Sequence, residues 1–151
     1  MARERTFVLL KPDAVQRGLV GTILERFERR GLKIIGLKLT SVPRARAEEY
    51  YVEHRGKPFF EGLMQYIGSG PVIAVALEGD NAVATVRAMI GATDPATAAA
   101  GTIRADFGLS IGKNLIHASD SRKSADREIA IFFKAGELKD YERADEKWLF
   151  D

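Results

Sequence analysis

The spacing of apolar and polar positions changes from segment to segment along this chain, and each change marks an element. The apolar run from Arg5 to Leu10 predicts a short strand, stopped by Pro12, with Asp13 placed to cap the helix after it. From Ala14 to Arg30, Val15, Leu19, Ile23, Leu24 and Phe27 recur at helical spacing, and Gly31 ends that helix. Lys33 to Val42 alternates in part and predicts a second strand, ended by Pro43; Arg44 to Tyr51 predicts a charged amphipathic helix. Pro58 starts another short helix carrying Phe59, Leu63, Met64 and Ile67, closed by a GSGP turn at Gly68 to Pro71. Val72 to Leu77 is continuously apolar, as in a strand buried on both faces. Asn81 can cap a helix from Ala82 to Ile90, which Gly91 ends. Ala92 to Ser119 shows little periodicity, and long irregular segments are usually functional or disordered. The polar run DSRKS then opens a helix near Ser121 that runs through Ala125 and gives way to a fourth strand, Ile129 to Phe133. The order βαββαβ with extra helices predicts an α/β (α+β) ferredoxin-like sandwich, a four-stranded antiparallel sheet covered by helices.

Composition narrows the classes. A length of 151 residues predicts one domain spanning 1–151, long enough to bury roughly two-thirds of its unfolded surface. Hydrophobic residues at 46% and charged residues at 29% argue against disorder. With no cysteine, disulfides, thiolate metal sites and a thiol nucleophile are excluded. The opening MARERTFVLLKPDAV lacks the longer apolar region of a secretion leader, and Val72 to Leu77 is too short to cross a bilayer. The expectation is a soluble, cytoplasmic protein with no membrane partner. A net charge of +2 is too small to indicate a nucleic-acid binder, so no specific nucleic-acid partner is expected. A small phosphorylated ligand needs only a few local Arg and Lys residues.

Several motifs fail on context. Gly108 to Gly112 reads G-x-S-x-G, but the hydrolase elbow needs a strand before it, a helix after it and acid and histidine partners later, whereas His117 follows too closely. A serine hydrolase using Ser110 is therefore the weaker alternative. The same segment ends GKN and misses a phosphate loop by one residue, with Asn114 where a Ser or Thr would hold Mg²⁺. The two histidines, His54 and His117, lack the close spacing of a zinc helix, and the adjacent Ser119, His117 and Asp120 are too near in sequence for triad geometry.

His117 is the open question. The bland reading is a satisfied loop histidine. Against it stand the long irregular segment, the neighbours Asn114, Ser119 and Asp120 that could fix a ring tautomer, and Arg87 and Arg104 nearby, whose guanidinium groups match phosphate oxygens. A neutral imidazole keeps a lone pair, which makes it a candidate nucleophile toward phosphorus.

The run Asn114-Leu-Ile-His117-Ala-Ser119-Asp120 resembles the N-x-x-H-x-S-D signature of nucleoside diphosphate kinases. TFVLLKPDAVQRGLVG, YVEHRGKPFF, GTIRADFG and HASDSRKSADREIAIFF match that family in order and spacing, over almost the whole chain. The resemblance implies a ping-pong transfer of the γ-phosphate of ATP or another nucleoside triphosphate to a nucleoside diphosphate, with His117 Nδ1 as the attacking atom. It further implies Glu128 on the other ring nitrogen, Ser119 supporting Glu128, and Tyr51 close to the histidine. Lys11 and Asn114 would reach the sugar and Lys11 the phosphate too; Arg87, Thr93 and Arg104 would clamp phosphates bridged by Mg²⁺. No protein ligand to the metal is implied. Phe59 would stack on the base with Ile111 opposite, which allows broad base specificity. Without the resemblance, Glu128 reads as a solvated helix-end glutamate and Phe59 as core; adjacent helical positions put Phe59 outside and Phe60 inside. His54 is read as structural.

Ala105 and Ala118 stand where many members have glycine, and Ala100 where many have proline; none replaces a proposed catalytic side chain. The tail Trp148-Leu149-Phe150 is an apolar cluster that either packs on its own subunit or, by the resemblance, marks a homohexamer built from dimers. An RNA-binding module would need stacking aromatics in the central strands, and Val72 to Leu77 offers none.

Overall fold

The computed structural model describes residues 3–150. Strands β1 (Arg3–Leu10), β2 (Lys33–Thr40), β3 (Val72–Asp80) and β4 (Ile116–Ala118) form one sheet in the order β2-β3-β1-β4. Every pairing is antiparallel, with Phe7 opposite Ala76, Leu37 opposite Val75 and Leu9 opposite His117. The helices are α1 (Pro12–Gln16), α2 (Val20–Arg29), α3 (Arg44–Tyr50), α4 (Phe60–Ile67), α5 (Ala82–Ile90), α6 (Ile103–Phe107) and α7 (Arg122–Phe132). The expected ferredoxin-like architecture is present.

Successive strand residues face opposite sides, and both sides are apolar. Val8, Leu10, Val75 and Leu77 pack against Ile23 and Phe27 of α2 and Val86 and Ile90 of α5. Phe7, Leu9, Ala74 and Ala76 pack against Tyr50 of α3, Met64 and Ile67 of α4, and Ile129 and Phe132 of α7. This double burial explains the unbroken apolar run of β3.

Several expectations need correction. The fourth strand is Ile116–Ala118, and Ile129 to Phe132 belongs to α7. A short apolar run does not distinguish strand from helix; here the Ser121 hydroxyl accepts the Ser124 N–H at 3.0 Å and starts a helix. Its buried positions Ala125, Glu128, Ile129 and Phe132 then follow helical spacing, until Phe133 turns extended. The long helix from Ala14 is two helices, broken where Gly18 takes φ +70°. Asp13 does not cap it: Lys11 holds the cap position without a side-chain bond, and Pro12 opens the first turn. Asn81 sits before α5 but in the left-handed region, φ 51°, and its side chain caps nothing. The irregular segment after Gly91 contains α6 and β4, both too short for periodicity to reveal.

The helix expected from Pro58 starts at Phe60, so Phe59 stands outside it at the cap position and is 51% exposed, while Phe60 packs against the core. β2 is an edge strand and leaves Leu37 and Leu39 exposed. The tail folds back: Leu149 lies against Gly31, the Arg3 guanidinium lies over the Phe150 ring at 4.7 Å, and Trp148 stays 80% exposed.

Candidate active site

β4 is short, but its register decides the direction of His117. Ile116 and Ala118 enter the core on the α2/α5 side, so His117, paired with Leu9, points to the side of α3 and α7. Two elements meet it there. Tyr50 sets its ring against the imidazole, centroids 5.2 Å apart at 77°. Glu128 reaches it from α7, with His117 Nε2 2.8 Å from Oε1. The Ser119 hydroxyl donates to the same Oε1 at 2.7 Å, and the Arg127 guanidinium lies 3.7 Å from Oε2. Glu128 is 4% exposed and Ser119 fully buried, so this chain of bonds is shielded from water. With Nε2–H donating to Glu128, the other ring nitrogen keeps its lone pair. Among the described residues Nδ1 has no hydrogen-bond partner.

Asn114 and Asp120 do not fix the ring, contrary to the expectation from their proximity; Glu128 does. Asp120 lines the same cleft, and a hydrogen bond from Ser124 holds its carboxyl below the usual range. That cleft, about 170 Å³, is bordered by Tyr50, Tyr51, His54, Arg87, His117 and Arg127. Among the described residues the hydroxyls of Tyr50 and Tyr51 are buried without a partner. Burial, and then the charge of Glu128, raises the Tyr51 phenol, so it stays protonated near neutral pH. Rings continue outward from Tyr51 to His54 (6.0 Å) and from His54 to Phe59 (5.4 Å), linking the cleft to the exposed Phe59. Burial and the neighbouring Lys57 lower the His54 pKa, which favours a neutral ring.

A second group adjoins the first through the backbone. Leu115 has φ +75°, and the Ile116 N–H donates to the Asn114 carbonyl at 2.9 Å, closing a three-residue γ-turn. Lys11, at the end of β1, donates its ammonium to Asn114 Oδ1 at 2.8 Å; Asn114 Nδ2 donates to the Thr93 carbonyl at 3.0 Å. Arg104, on α6, gives N–H bonds to the carbonyls of Asn114, Gly91 and Ile116. Arg87, on α5, donates to the Ala118 carbonyl at 3.2 Å.

These cations repel one another. Burial, with Arg104 adding, pushes the Lys11 ammonium down to about 8 against the opposing pull of Asp13. Burial, with Arg87 adding, pushes Arg104 down to about 10. Crowded, partly desolvated cations of this kind gain most from an arriving anion. Among the described residues no group of three His, Asp or Glu side chains is arranged to hold a metal ion.

Thr93 is exposed beside this group, and Ile111 is 61% exposed on the loop before β4. Ser110 lies in that loop, where its hydroxyl accepts the Lys113 N–H at 3.3 Å. The segment follows α6 rather than a strand, so no nucleophile elbow exists there. Sequence reasoning passed over Tyr50, Arg127 and Tyr66, and gave Asp13 only a capping role. Only Glu128 carried a local sign: it shares the helical stripe of Ala125, Ile129 and Phe132, and a charged side chain on an apolar stripe asks for a partner.

Comparison with known proteins agrees with this geometry. A family described as Nucleoside diphosphate kinase matches residues 4–138. A nucleoside diphosphate kinase of Archaeoglobus fulgidus is 56% identical over 148 residues, covering 98% of each chain. The structure of a halophilic nucleoside diphosphate kinase from Halobacterium salinarum, in complex with CDP, superposes with a TM-score of 0.97 at 49% identity, covering 99% of this chain and 100% of that one. A nucleoside diphosphate kinase family protein from Babesia bovis gives 0.94 at 44% identity, covering 97% and 99%. A histidine oriented by a buried carboxyl, beside crowded cations, thus sits in a chain that belongs to the nucleoside diphosphate kinase family.

Proposed function

We propose that this enzyme moves the γ-phosphate of a nucleoside triphosphate to a nucleoside diphosphate in two half-reactions, through a phosphohistidine at His117. The observation that carries the reading is the bond of His117 Nε2 to the buried, Ser119-supported Glu128, which leaves Nδ1 as the nucleophile. The Nδ1 lone pair attacks the γ-phosphorus, and the bond from phosphorus to the β–γ bridging oxygen breaks. The nucleoside diphosphate leaves with that oxygen. In the second half-reaction a terminal oxygen of another nucleoside diphosphate attacks the same phosphorus, and Nδ1 recovers its electron pair. Glu128 fixes the tautomer and offsets positive charge on the ring in the intermediate, as the acid of a triad does.

Phosphoryl transfer asks mainly for positioning and charge stabilisation. Lys11, Arg87 and Arg104 supply the charge, Thr93 and Asn114 polar contacts, and Tyr51 a protonated phenol beside the cleft. Mg²⁺ would arrive on the phosphates and offset their charge; among the described residues no group of three His, Asp or Glu side chains is placed to hold it. The exposed Phe59 and Ile111 suit stacking against a base, which reads no base edge and so tolerates any of them. The CDP in the Halobacterium relative supports a nucleoside diphosphate as the acceptor class. We read the assembly as a homohexamer, supported by the exposed Trp148, Leu37 and Leu39, and the location as cytoplasmic. Initial rates with ATP varied at several fixed concentrations of a second diphosphate test the cycle: parallel double-reciprocal lines are expected, and converging lines would replace it with direct transfer in a ternary complex.

A further inference from the structure

Asp13 takes no part in the proposed phosphate transfer, yet it joins three elements. Standing on α1, its Oδ2 accepts the Leu115 N–H at 3.1 Å, and its Oδ1 accepts the Tyr66 hydroxyl from α4. The Leu115 turn is the strained point of the site. A non-glycine residue at φ +75° is strained and persists only where its surroundings over-determine it. The Leu115 surroundings are a fully buried side chain, the Lys11 N–H on its carbonyl at 2.8 Å, and Asp13 on its N–H. On one side of that turn Asn114 holds the Lys11 ammonium; two residues on the other side stands His117.

We propose that Asp13 is a positioning residue, which with Tyr66 pins the Leu115 turn and places a fixed negative charge beside Lys11, so that Lys11, Asn114 and His117 are presented as one unit. The kinetic consequence rests on the phosphate-binding reading of Lys11; the geometry does not. The groups that face Lys11 are Asp13 from α1, Arg104 from α6, Asn114 from the turn, and the Tyr66 ring from α4, with its centroid 5.7 Å from the ammonium. Burial and Arg104 disfavour the ammonium, and Asp13 is the attractive charge of that set. Asp13→Asn keeps the shape, removes the charge, and leaves one oxygen for two donors. Tyr66→Phe removes one donor and leaves the charge.

The test is the titration of Lys11 followed by carbon NMR of labelled lysine in nucleotide-free protein, together with the pH dependence of kcat/KM. Asp13→Asn is expected to lower the Lys11 pKa by about half a unit or more. It should move the alkaline limb of kcat/KM down with it and reduce kcat/KM about tenfold, as loss of a charged hydrogen bond would. Tyr66→Phe is expected to reduce kcat/KM a few-fold without lowering the Lys11 pKa. An unmoved Lys11 titration in Asp13→Asn, or a fall in Tyr66→Phe equal to that in Asp13→Asn, would overturn the proposal. If Asp13→Asn does not fold, Tyr66→Phe decides alone: a wild-type kcat/KM overturns it. Failure of the parent protein to transfer phosphate would remove the nucleotide reading and leave the NMR arm standing.

Discussion

At the scale of single residues, the proposed chemistry rests on two neighbouring features: the side of the imidazole that faces Glu128, and how little water reaches that carboxyl. Glu128 takes both the His117 Nε2–H and the Ser119 hydroxyl on one oxygen. A hydrogen bond to a charged group contributes roughly 1.5–3 kcal/mol, so Glu128→Gln should reduce kcat/KM about 10- to 100-fold. Ser119→Ala should cost less, a few-fold, because Glu128 retains His117. Stopped-flow measurement of the first half-reaction checks both; equal losses would mean that Ser119 acts on the histidine directly. Lys11 gives the pH dependence. In the phosphate-binding role proposed for it, its ammonium, lowered to about 8, must be protonated, so nucleotide affinity should fall as the pH rises through about 8. The stability term has the opposite sign. The unfolded lysine binds a proton up to about 10.5, so between about 8 and 10.5 folding releases one, and this group's contribution to stability rises with pH. Isothermal titration across that range reads the affinity, and thermal unfolding reads the stability.

At the scale of elements, the site depends on how α7 and β4 are placed. On one buried face α7 carries Glu128 to the histidine and, a turn later, Phe132, whose ring stacks on Phe7 at 5.1 Å and meets Tyr50 at 5.4 Å. Phe132→Ala should therefore cost about 3–5 kcal/mol of stability and also loosen Tyr50 against His117. Urea unfolding checks the first and kcat the second; a stable variant with unchanged activity would separate α7 packing from the site. Both elements were poorly legible in the sequence, for different reasons. β4 has three residues, too few for alternation to show, and its place in the sheet comes from pairing with β1. The apolar run Ile129 to Phe133 fits strand or helix equally, and the Ser121 cap together with packing against Phe7 and Tyr50 decides for helix. By contrast β3 and α5 read directly, since one is unbroken apolar from Val72 to Leu77 and the other ends in a glycine with φ +85°. Most of the site residues came from the resemblance of their motifs; Asp13, Tyr50 and Tyr66 came only from the fold, because no local pattern connects positions 13, 66 and 115.

At the scale of the whole molecule, the C-terminal segment ties the starts of β1 and β2 and the end of β3 together. Lys33, nearly buried at the start of β2, lies 3.4 Å from Glu78 and 3.2 Å from Glu146, and Arg3 lies 3.2 Å from Glu146. The Arg143 N–H, with Lys33 and Arg3, holds the Glu146 carboxyl down at about 2. A carboxyl depressed by folding stabilises above its unfolded pKa, and that contribution is lost as pH falls through the folded value. Glu146→Gln should thus lower Tm at pH 7, and the gap from the parent should narrow as pH is lowered from about 5 toward 2. A constant gap would assign the effect to packing alone. The same segment presents Trp148 at 80% exposure, and light scattering of the intact protein is expected to give a hexamer; a monomer would leave Trp148, Leu37 and Leu39 without the partner proposed for them.

The most direct test of the phosphohistidine cycle is to mix the purified protein with ATP labelled at the γ-phosphate and Mg²⁺, with no acceptor present. The expected result is a label on the protein that is lost in acid, survives base, moves to GTP on addition of GDP, and is absent from His117→Ala. No label, or an acid-stable label on a serine, would contradict His117 as the nucleophile.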